Sequence, residues 1–296
     1  MLKLHKNEPL VCGGTDESVD ENAPKKIQSK EMILFDVTSV LPPPDPAQET
    51  DPLGFVSAFA APTDEGTFLF FETGRVPFMH AEKRRTWALV TETVFPSLTA
   101  LVREQNLAAD NGSYSYTHGL PENFGGSVTV KYASGESILF SSNQHPILSR
   151  QTGERIAALF IEAMNGEKVA LPEPDTLKAM RFDEECEDGS FTHSVLTVNE
   201  DGSGTLIRLR RFSDPQVYES ERTVEAEALS TMKRTIADCG LLAWASLPES
   251  SYPLSGDKTL TFAFADGSEI SVPADRILPE QIRDGFFRVE LEMTRG

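Results

Sequence analysis

VTVKYASGESILF, residues 128–140, alternates apolar and polar side chains on either side of a short turn that contains Gly135. Such alternation is typical of two half-buried strands, and glycine can adopt the positive φ that tight hairpin turns require. LTFAFADGSEISV, residues 260–272, has the same pattern around Gly267. The sequence therefore predicts two β-hairpins of one design, one in each half of the chain.

Further short matches occur in the same order in both halves. MILFD (residues 32–36) resembles AMRFD (residues 179–183), and GTFL (residues 66–69) resembles GTLI (residues 204–207). Matches that keep their order indicate an internal duplication. The separation between matching residues falls along the chain, so the first copy has extra residues, most of which we place in the proline-rich run 41–53.

A helix is predicted before each hairpin, because apolar residues recur at three- and four-residue steps. In the first copy these residues are Trp87, Val90, Val94, Leu98, Leu101 and Val102. In the second copy they are Val224, Ala228, Met232 and Ile236. Pro96 interrupts the first stripe, where we expect a kink or a new start. Gly240 suits a left-handed cap after the second helix, and Asn106 aligns with it.

Each copy ends in one more element. Residues 156–164 have helical spacing, and Asn165-Gly166 is a typical end for that helix. Residues 282–293 fit a helix, but Phe287, Val289, Leu291 and Met293 also alternate with polar residues as in a strand. Gly285 makes us favour the strand.

The predicted order in each copy is β-β-β-α-β-β followed by this terminal element. It is typical of an α+β fold in which an antiparallel sheet carries its helices on one face. We predict two tandem related domains of this kind, over residues 28–165 and 175–296. Residues 166–174 are the predicted linker. Residues 1–27, which are polar and lack periodicity, are a predicted flexible arm.

The chain is strongly acidic. Its 296 residues include 27 Lys and Arg against 46 Asp and Glu, a formal net charge of −19. This charge disfavours nucleic acid and anionic membranes, and no run approaches the ~20 apolar residues of a membrane span. Cys12, Cys186 and Cys239 are widely spaced, which argues against disulfides and a zinc site. We therefore predict a cytoplasmic protein without nucleic-acid binding or membrane insertion.

Common catalytic and cofactor motifs are missing from the sequence, including GxGxxG, the Walker loop, HExxH and GxSxG. The five histidines lack the spacing of a helical metal site, and the acidic turns at 183–189 and 199–204 lack the Glu that closes a calcium loop. We therefore predict no catalytic residue, no metal site and no cofactor.

Two charged features allow alternative interpretations. Lys83-Arg84-Arg85 is a basic cluster that could contact an anion, although we favour the solvated first turn of a helix. Asp36 and Asp183 both follow a phenylalanine. A carboxylate pair at the junction of the copies could transfer protons, but turns at strand ends explain these residues more simply.

Tyr114, Tyr116 and His118 are the ligand-binding residues that the sequence predicts. They lie in a segment over residues 110–126 that we interpret as a long loop, whereas the corresponding segment over 245–257 has no histidine. Aromatic hydroxyl groups and an imidazole on a loop can recognise a ligand. No catalytic or metal-binding role is predicted for them.

Residues 132–135 and 264–267, the amphipathic helices before them and residues 29–36 resemble a group of bacterial hypothetical proteins and lipoproteins. That group pairs a helix with a hairpin that turns on a small residue and glycine. The resemblance covers most of residues 29–296 and implies the duplicated α+β unit. It implies no activity and no functional residue. The lipoprotein signal has no counterpart around Cys12, so we do not expect membrane anchoring.

Three functions are compatible with these observations. The favoured one is a non-enzymatic bacterial binding or protein-interaction protein built from two duplicated α+β domains. One alternative is an enzyme with a site at the junction of the repeats. The other is an acidic, immunity-type protein that binds a basic partner, with an affinity that falls as salt rises. Fold alone does not choose among them, and the sequence predicts no oligomeric state.

Overall fold

The structure, a computed structural model, has a mixed α+β architecture with two mainly antiparallel sheets. It describes residues 14–44, 53–74, 84–119, 124–212, 215–249, 257–276, 278 and 280–295. The chain divides into two compact units. The first unit consists of residues 1–60, 69–85 and 93–165, and the second of residues 61–68, 86–92 and 166–296. The predicted α+β class is confirmed.

The first sheet has eight strands. They are β1 (Thr15–Val19), β2 (Met32–Val40), β3 (Phe55–Thr63), β4 (Gly66–Gly74), β5 (Arg84–Val90), β6 (Ser113–Thr117), β7 (Gly126–Tyr132) and β8 (Ser137–Ser142). Their order in the sheet is β1-β6-β8-β7-β2-β3-β4-β5. β6 and β8 run parallel, whereas β1–β6, β8–β7, β7–β2 and β2–β3 are antiparallel. β3 and β4 are buried along most of their length. Because both faces of these strands are covered, their sequences are nearly continuous in apolar residues instead of alternating.

Two helices accompany this sheet, α1 (Phe95–Glu104) and α2 (Arg150–Met164). The Ser149 side chain accepts a hydrogen bond from the Thr152 N–H and so caps α2. Phe160 of α2 packs against Phe35 of β2, with ring centroids 6.1 Å apart. Both rings are fully buried, so this face of the sheet forms the core of the first unit.

The second sheet has six strands and is antiparallel throughout. They are β9 (Leu177–Glu185), β10 (Phe191–Val198), β11 (Gly204–Arg211), β12 (Val217–Val224), β13 (Asp257–Phe264) and β14 (Glu269–Pro273). Their order is β12-β11-β10-β9-β13-β14. Helices α3 (Ala226–Asp238) and α4 (Glu280–Thr294) pack against each other, and α4 contacts β10. Among the described residues, no helix has the length and apolar character needed to cross a membrane.

Six strands follow the same arrangement in both sheets, β8-β7-β2-β3-β4-β5 in the first and β14-β13-β9-β10-β11-β12 in the second. Asn106 (φ 50°) after α1 and Gly240 (φ 62°) after α3 are both left-handed, and a short 3-10 helix follows each. The hairpins turn at Gly135 (φ 86°) and Gly267 (φ 85°). The predicted hairpins and left-handed caps are therefore confirmed.

The start of each central helix differs from the prediction. Trp87 and Val90 lie in β5, and α1 begins only at Phe95 with Pro96 in its first turn. Proline suits that turn because its missing N–H would have no partner within the helix. Val224 likewise ends β12 before α3 begins. The first half therefore has five strands before its helix, β1–β5, and the second half has four, β9–β12, instead of the predicted three in each.

Residues 282–293 are helical, so the strand that we favoured there is wrong. Ile282, Phe286, Val289 and Met293 are buried at helical spacing, whereas Phe287 and Leu291 are exposed. Gly285 has a packing role. A Cβ at this position would lie 2.7 Å from Cys239 Sγ, so only glycine allows the helix to approach Cys239 so closely.

Residues 14–27 of the predicted N-terminal arm are described, and they include β1. All five side chains of this strand are exposed, and it pairs with β6 through its backbone. The strand has no buried face, so the alternation of apolar and polar residues that identifies other strands is missing from its sequence. In the predicted linker, the Val169 N–H donates to the Leu89 carbonyl oxygen over 2.9 Å.

Candidate functional site

Tyr114 and Tyr116 lie on β6 and His118 follows it, so the predicted long loop is wrong for this segment. The Tyr114 and Tyr116 rings are nearly parallel with centroids 6.5 Å apart, and the Tyr116 and His118 rings meet edge-on at 5.3 Å. His118 Nε2 lies 2.9 Å from Asp16 Oδ2, in the adjacent β1. The three predicted residues thus form one aromatic row on one face of the strand, because alternate residues share a face.

Two buried asparagines fix the position of β6, which has only two residue pairs with β8. The Asn111 carboxamide donates to two backbone carbonyl groups and accepts from the Leu139 N–H over 2.7 Å. The Asn143 carboxamide accepts from the Thr117 N–H over 2.7 Å and donates to the Thr117 carbonyl oxygen over 3.0 Å. These side chains replace the backbone pairing that the short parallel contact leaves unmade.

A cavity of about 420 Å³ lies beside β6, in the first unit. Three successive residues of β6, Ser113, Tyr114 and Ser115, line it, whereas Tyr116 and His118 do not. The lining contains five serines, Gln144, His145, Tyr114, two carboxylates and four apolar residues, so one member of the aromatic row also borders the cavity. Lys and Arg are missing from this lining among the described residues. We call this feature the serine cavity.

One hydrogen-bonded chain connects several groups of the serine cavity. Gln144 Nε2 donates to Ser115 Oγ over 2.7 Å, and Ser115 Oγ lies 3.5 Å from Glu17 Oε1, to which it donates. The backbone N–H of Gln144 donates to Ser142 Oγ over 3.1 Å. The polar side chains are therefore oriented by one another as well as by the strands that carry them.

The second unit has an exposed sheet surface on the side opposite its buried strand residues. We call it the outer face; it includes Arg181, Asp183, Glu185, Phe191, His193, Val195, Ile207, Leu209, Arg211, Glu219 and Glu221. Val195, Ile207 and Leu209 are 42%, 41% and 37% exposed. Val195 lies opposite Ile207, and on the edge strand β12 Glu221 lies opposite Ile207 and Glu219 opposite Leu209. An apolar centre thus borders directly on two exposed carboxylates.

Asp183 lies within β9 on the other flank of the outer face, not in a turn. Its Oδ1 is 2.9 Å from His193 Nδ1 and its Oδ2 is 2.7 Å from Arg181 Nε. His193 Nε2 is also 3.9 Å from Glu185 Oε1. Asp183 is therefore held by two basic groups of its own sheet. Asp36 likewise lies within a strand, β2, so a strand-end turn explains neither residue.

A second cavity, of about 380 Å³, lies in the second unit around Trp87. Trp87 Nε1 donates to the Ala237 carbonyl oxygen over 2.8 Å, at the end of α3. The lining is mostly apolar, with Lys168 and Glu173 as its charged residues. The indole therefore satisfies a helix-end carbonyl group while one side of it borders the cavity.

The basic cluster is also placed differently from the prediction. Arg84 and Arg85 belong to β5 instead of a helix, and Lys83 lies outside the described residues. Arg85 Nη2 lies 2.8 Å from Oε2 of Glu72, whose side chain is only 1% exposed. Arg85 thus forms an ion pair with a buried carboxylate.

His5, His80, Cys12 and Tyr252 lie outside the described residues. Within the described residues, no three His, Cys, Asp or Glu side chains are grouped so that they could hold a metal ion. No protein-family model matches the chain, and no curated protein matches it either. Among the described residues, the outer face and the serine cavity are the surfaces best suited to binding another molecule.

Proposed function

We propose that the chain is a non-enzymatic binding protein that engages a basic protein partner through the outer face of its second sheet. The observation that carries this proposal is the exposure of Val195, Ile207 and Leu209 as neighbours at the centre of that face. Adjoining apolar side chains on a rigid sheet favour burial against a partner. An apolar centre with a polar rim is also the usual anatomy of a protein interface.

Charge supports a basic partner over an acidic one. Glu219 and Glu221 border the apolar centre on one side. On the other side Arg181 lies opposite Val195 and forms an ion pair with Asp183, so these two charges offset each other and the acidic rim is the one on β12. The chain as a whole carries a formal charge of −19. Complementary charges accelerate encounter with a basic protein and oppose acidic ones, most strongly at low salt.

The edge position of β12 gives the partner a second means of attachment. β12 is the terminal strand in the sheet order, and residues 217–221 are all exposed. It contains neither Lys nor Pro, which commonly protect a sheet edge from pairing. An extended segment of the partner could add to this edge, with Lys or Arg side chains opposite Glu219 and Glu221.

A pair of charge-reversal variants tests this proposal. The partner would be captured from the native host, purified and titrated calorimetrically against the full chain at two salt concentrations. Glu219→Lys/Glu221→Lys should weaken binding by about tenfold or more, because two rim attractions become repulsions. Glu187→Lys/Glu200→Lys changes the net charge equally on exposed turns of the same unit and should have a much smaller effect.

Two results would contradict the proposal. Equal weakening by both double variants would mean that only net charge matters. Binding that does not weaken with salt, or that survives Ile207→Asp, would place the partner elsewhere. Circular dichroism of each variant would establish that the sheet is still folded.

We also infer that the two halves descend from one duplicated α+β unit. The shared strand order, the left-handed residues Asn106 and Gly240 and the turn glycines Gly135 and Gly267 support this. Superposing β2–β5 on β9–β12 in a crystal structure should also bring Asn106 onto Gly240. A mismatch in these connections would contradict common descent. Cys186 is a free thiol, which suits the cytoplasmic location that the sequence predicts.

A further inference from the structure

The serine cavity has the dimensions of a small-molecule site. Its volume of about 420 Å³ falls within the range of about 300–1,000 Å³ that is usual for ligand pockets. Its walls come from β1, β6, β8 and the segment after β8, together with Asp110 of the 3-10 helix before β6. Three strands of one sheet therefore position most of the lining, which gives a site with little freedom to rearrange.

Hydroxyl groups are the most numerous polar groups in the lining. Ser113, Ser115 and Ser142 lie on successive parts of β6 and β8, and Gln144 extends their hydrogen-bonded chain. Each hydroxyl group can donate one hydrogen bond and accept two, and a carboxamide can also do both. A ligand that matches such a surface must itself donate and accept at several neighbouring positions. Adjacent hydroxyl groups of a saccharide have this property.

The charges in the lining limit the ligand further. Glu17 and Asp110 contribute carboxylates, and the described lining includes no Lys or Arg. A phosphate or carboxylate group would lose water beside charges of its own sign and find no cationic partner. The carboxylates accept hydrogen bonds from hydroxyl groups and also favour an ammonium group. Neutral and amino-substituted ligands therefore fit, and acidic ones do not.

The apolar residues of the lining favour a saccharide over a simple amine. Phe140, Val19 and Ile147 line the cavity together with its polar groups. A saccharide ring has an apolar C–H side as well as a hydroxylated edge, so it can cover both kinds of surface at once. An alkyl diamine would satisfy the carboxylates and leave the serine hydroxyl groups without a ligand partner.

We propose that the serine cavity binds a small polyhydroxylated ligand, a neutral or amino-substituted saccharide. This inference concerns the first unit and does not depend on the partner proposed for the outer face. It agrees with the sequence prediction at Tyr114, which lines the cavity, and differs from it at Tyr116 and His118, which do not.

Saturation-transfer NMR on the full chain tests the ligand class directly. Glucose, galactose, N-acetylglucosamine and glucosamine are the probes, and gluconate and putrescine are the comparison compounds. We expect transfer to at least one of the four saccharides and much weaker transfer to gluconate and putrescine. No transfer to any of the four would overturn the proposal. Equal transfer to putrescine would assign the site to ammonium groups. Equal transfer to gluconate would show that the lining accepts an acidic ligand and would overturn the proposal that it is limited to neutral and amino-substituted ones.

Variants then locate the site. For the saccharide that binds best, Ser115→Ala and Gln144→Ala should each raise the Kd by about tenfold, whereas Ser230→Ala, an exposed serine of α3, should leave it unchanged. Tyr116→Ala distinguishes the aromatic row from the cavity. If Tyr116→Ala abolishes binding while Ser115→Ala does not, the aromatic row is the site and the proposal for the cavity is wrong. Heteronuclear spectra of each variant would show whether β6 is still in place.

Discussion

Gly240 packs directly against the indole ring of Trp87: a Cβ at Gly240 would lie 2.5 Å from Trp87 Cδ2. The same indole donates to the carbonyl oxygen of Ala237, one turn earlier in the chain. Glycine at this position therefore has two requirements to meet, a left-handed backbone with φ 62° and contact with an aromatic ring.

Gly240→Ala should lower the free energy of unfolding by more than Gly267→Ala. Both glycines have positive φ, which costs an alanine about 1–2 kcal/mol. Only Gly240 has a neighbour within 4 Å of the added Cβ, and overpacking costs roughly 1–3 kcal/mol more. Urea unfolding of the two variants provides the comparison. Equal losses would mean that Trp87 moves aside without cost.

The two tryptophans should differ in their access to solvent. Trp87 is half-buried at a cavity, whereas Trp244 is fully buried and donates to the Cys239 carbonyl oxygen over 3.1 Å. Acrylamide should therefore quench mainly the emission of Trp87. Trp87→Phe should remove most of the quenchable fraction and shift the remaining emission to shorter wavelength. A variant that is quenched as strongly as the parent would contradict the burial of Trp244.

Part of this fold could be predicted from local sequence and part could not. Gly135 and Gly267 were both predicted, because a tight hairpin turn needs a residue with positive φ and the sequence on either side of the turn is enough to identify it. Trp87 and Val90 were misassigned because their three-residue separation fits a helix, and the buried end of β5 does not alternate. In α4, Phe287 and Leu291 alternate with polar residues by coincidence, and only burial of Phe286 and Met293 identifies the helix.

Replacing Asn111 should weaken the attachment of β6. Its carboxamide makes three hydrogen bonds to backbone groups, so Asn111→Ala should cost about 2–4 kcal/mol through unsatisfied buried groups. Asn111→Asp should cost more at neutral pH, since a carboxylate would face the two carbonyl oxygens that the amide now binds. Hydrogen exchange should localise the loss to β1 and β6. Uniform exchange across both sheets would contradict a local role.

Glu136 should make stability depend on pH. Hydrogen bonds from the backbone N–H groups of Gln28 and Ser29 lower the pKa of Glu136 below its usual value. Because the pKa is lowered in the folded state, the stabilisation is complete above the unfolded-state pKa and is lost as pH falls through the folded-state pKa. Glu136→Gln should therefore be less stable than the parent at neutral pH, and the difference should disappear in acid.

Thermal unfolding at a series of pH values would test this expectation, with Glu200→Gln, an exposed residue in another turn, as the control. The difference in Tm between the control and the parent should be the same at every pH. A difference between Glu136→Gln and the parent that persists in acid would show that the carboxylate charge is not responsible.

The site was less accessible to sequence analysis than the fold. Tyr114 and Tyr116 attracted attention because they are aromatic, and the structure does bring them together with His118. Apart from Tyr114, the residues of the serine cavity were missed because they form no motif. Ser115 and Ser142 become neighbours only through the parallel contact of β6 with β8, which depends on the packing of Asn111 and Asn143. The one available signal was the alternation in SYSYT, which predicts a strand with two different faces.

The position of Asn111 also has a chemical consequence. It precedes Gly112, and asparagine before glycine is prone to deamidation, in which the following backbone nitrogen attacks the side-chain carboxamide. In the folded chain the Gly112 N–H donates to the Leu139 carbonyl oxygen over 2.8 Å, and the carboxamide is held by its own hydrogen bonds. Folding should therefore slow deamidation of the Asn111 side chain. An unfolded chain lacks these restraints, so we expect deamidation there to replace the carboxamide with a carboxylate, which would face the two carbonyl oxygens that the amide binds in the folded chain.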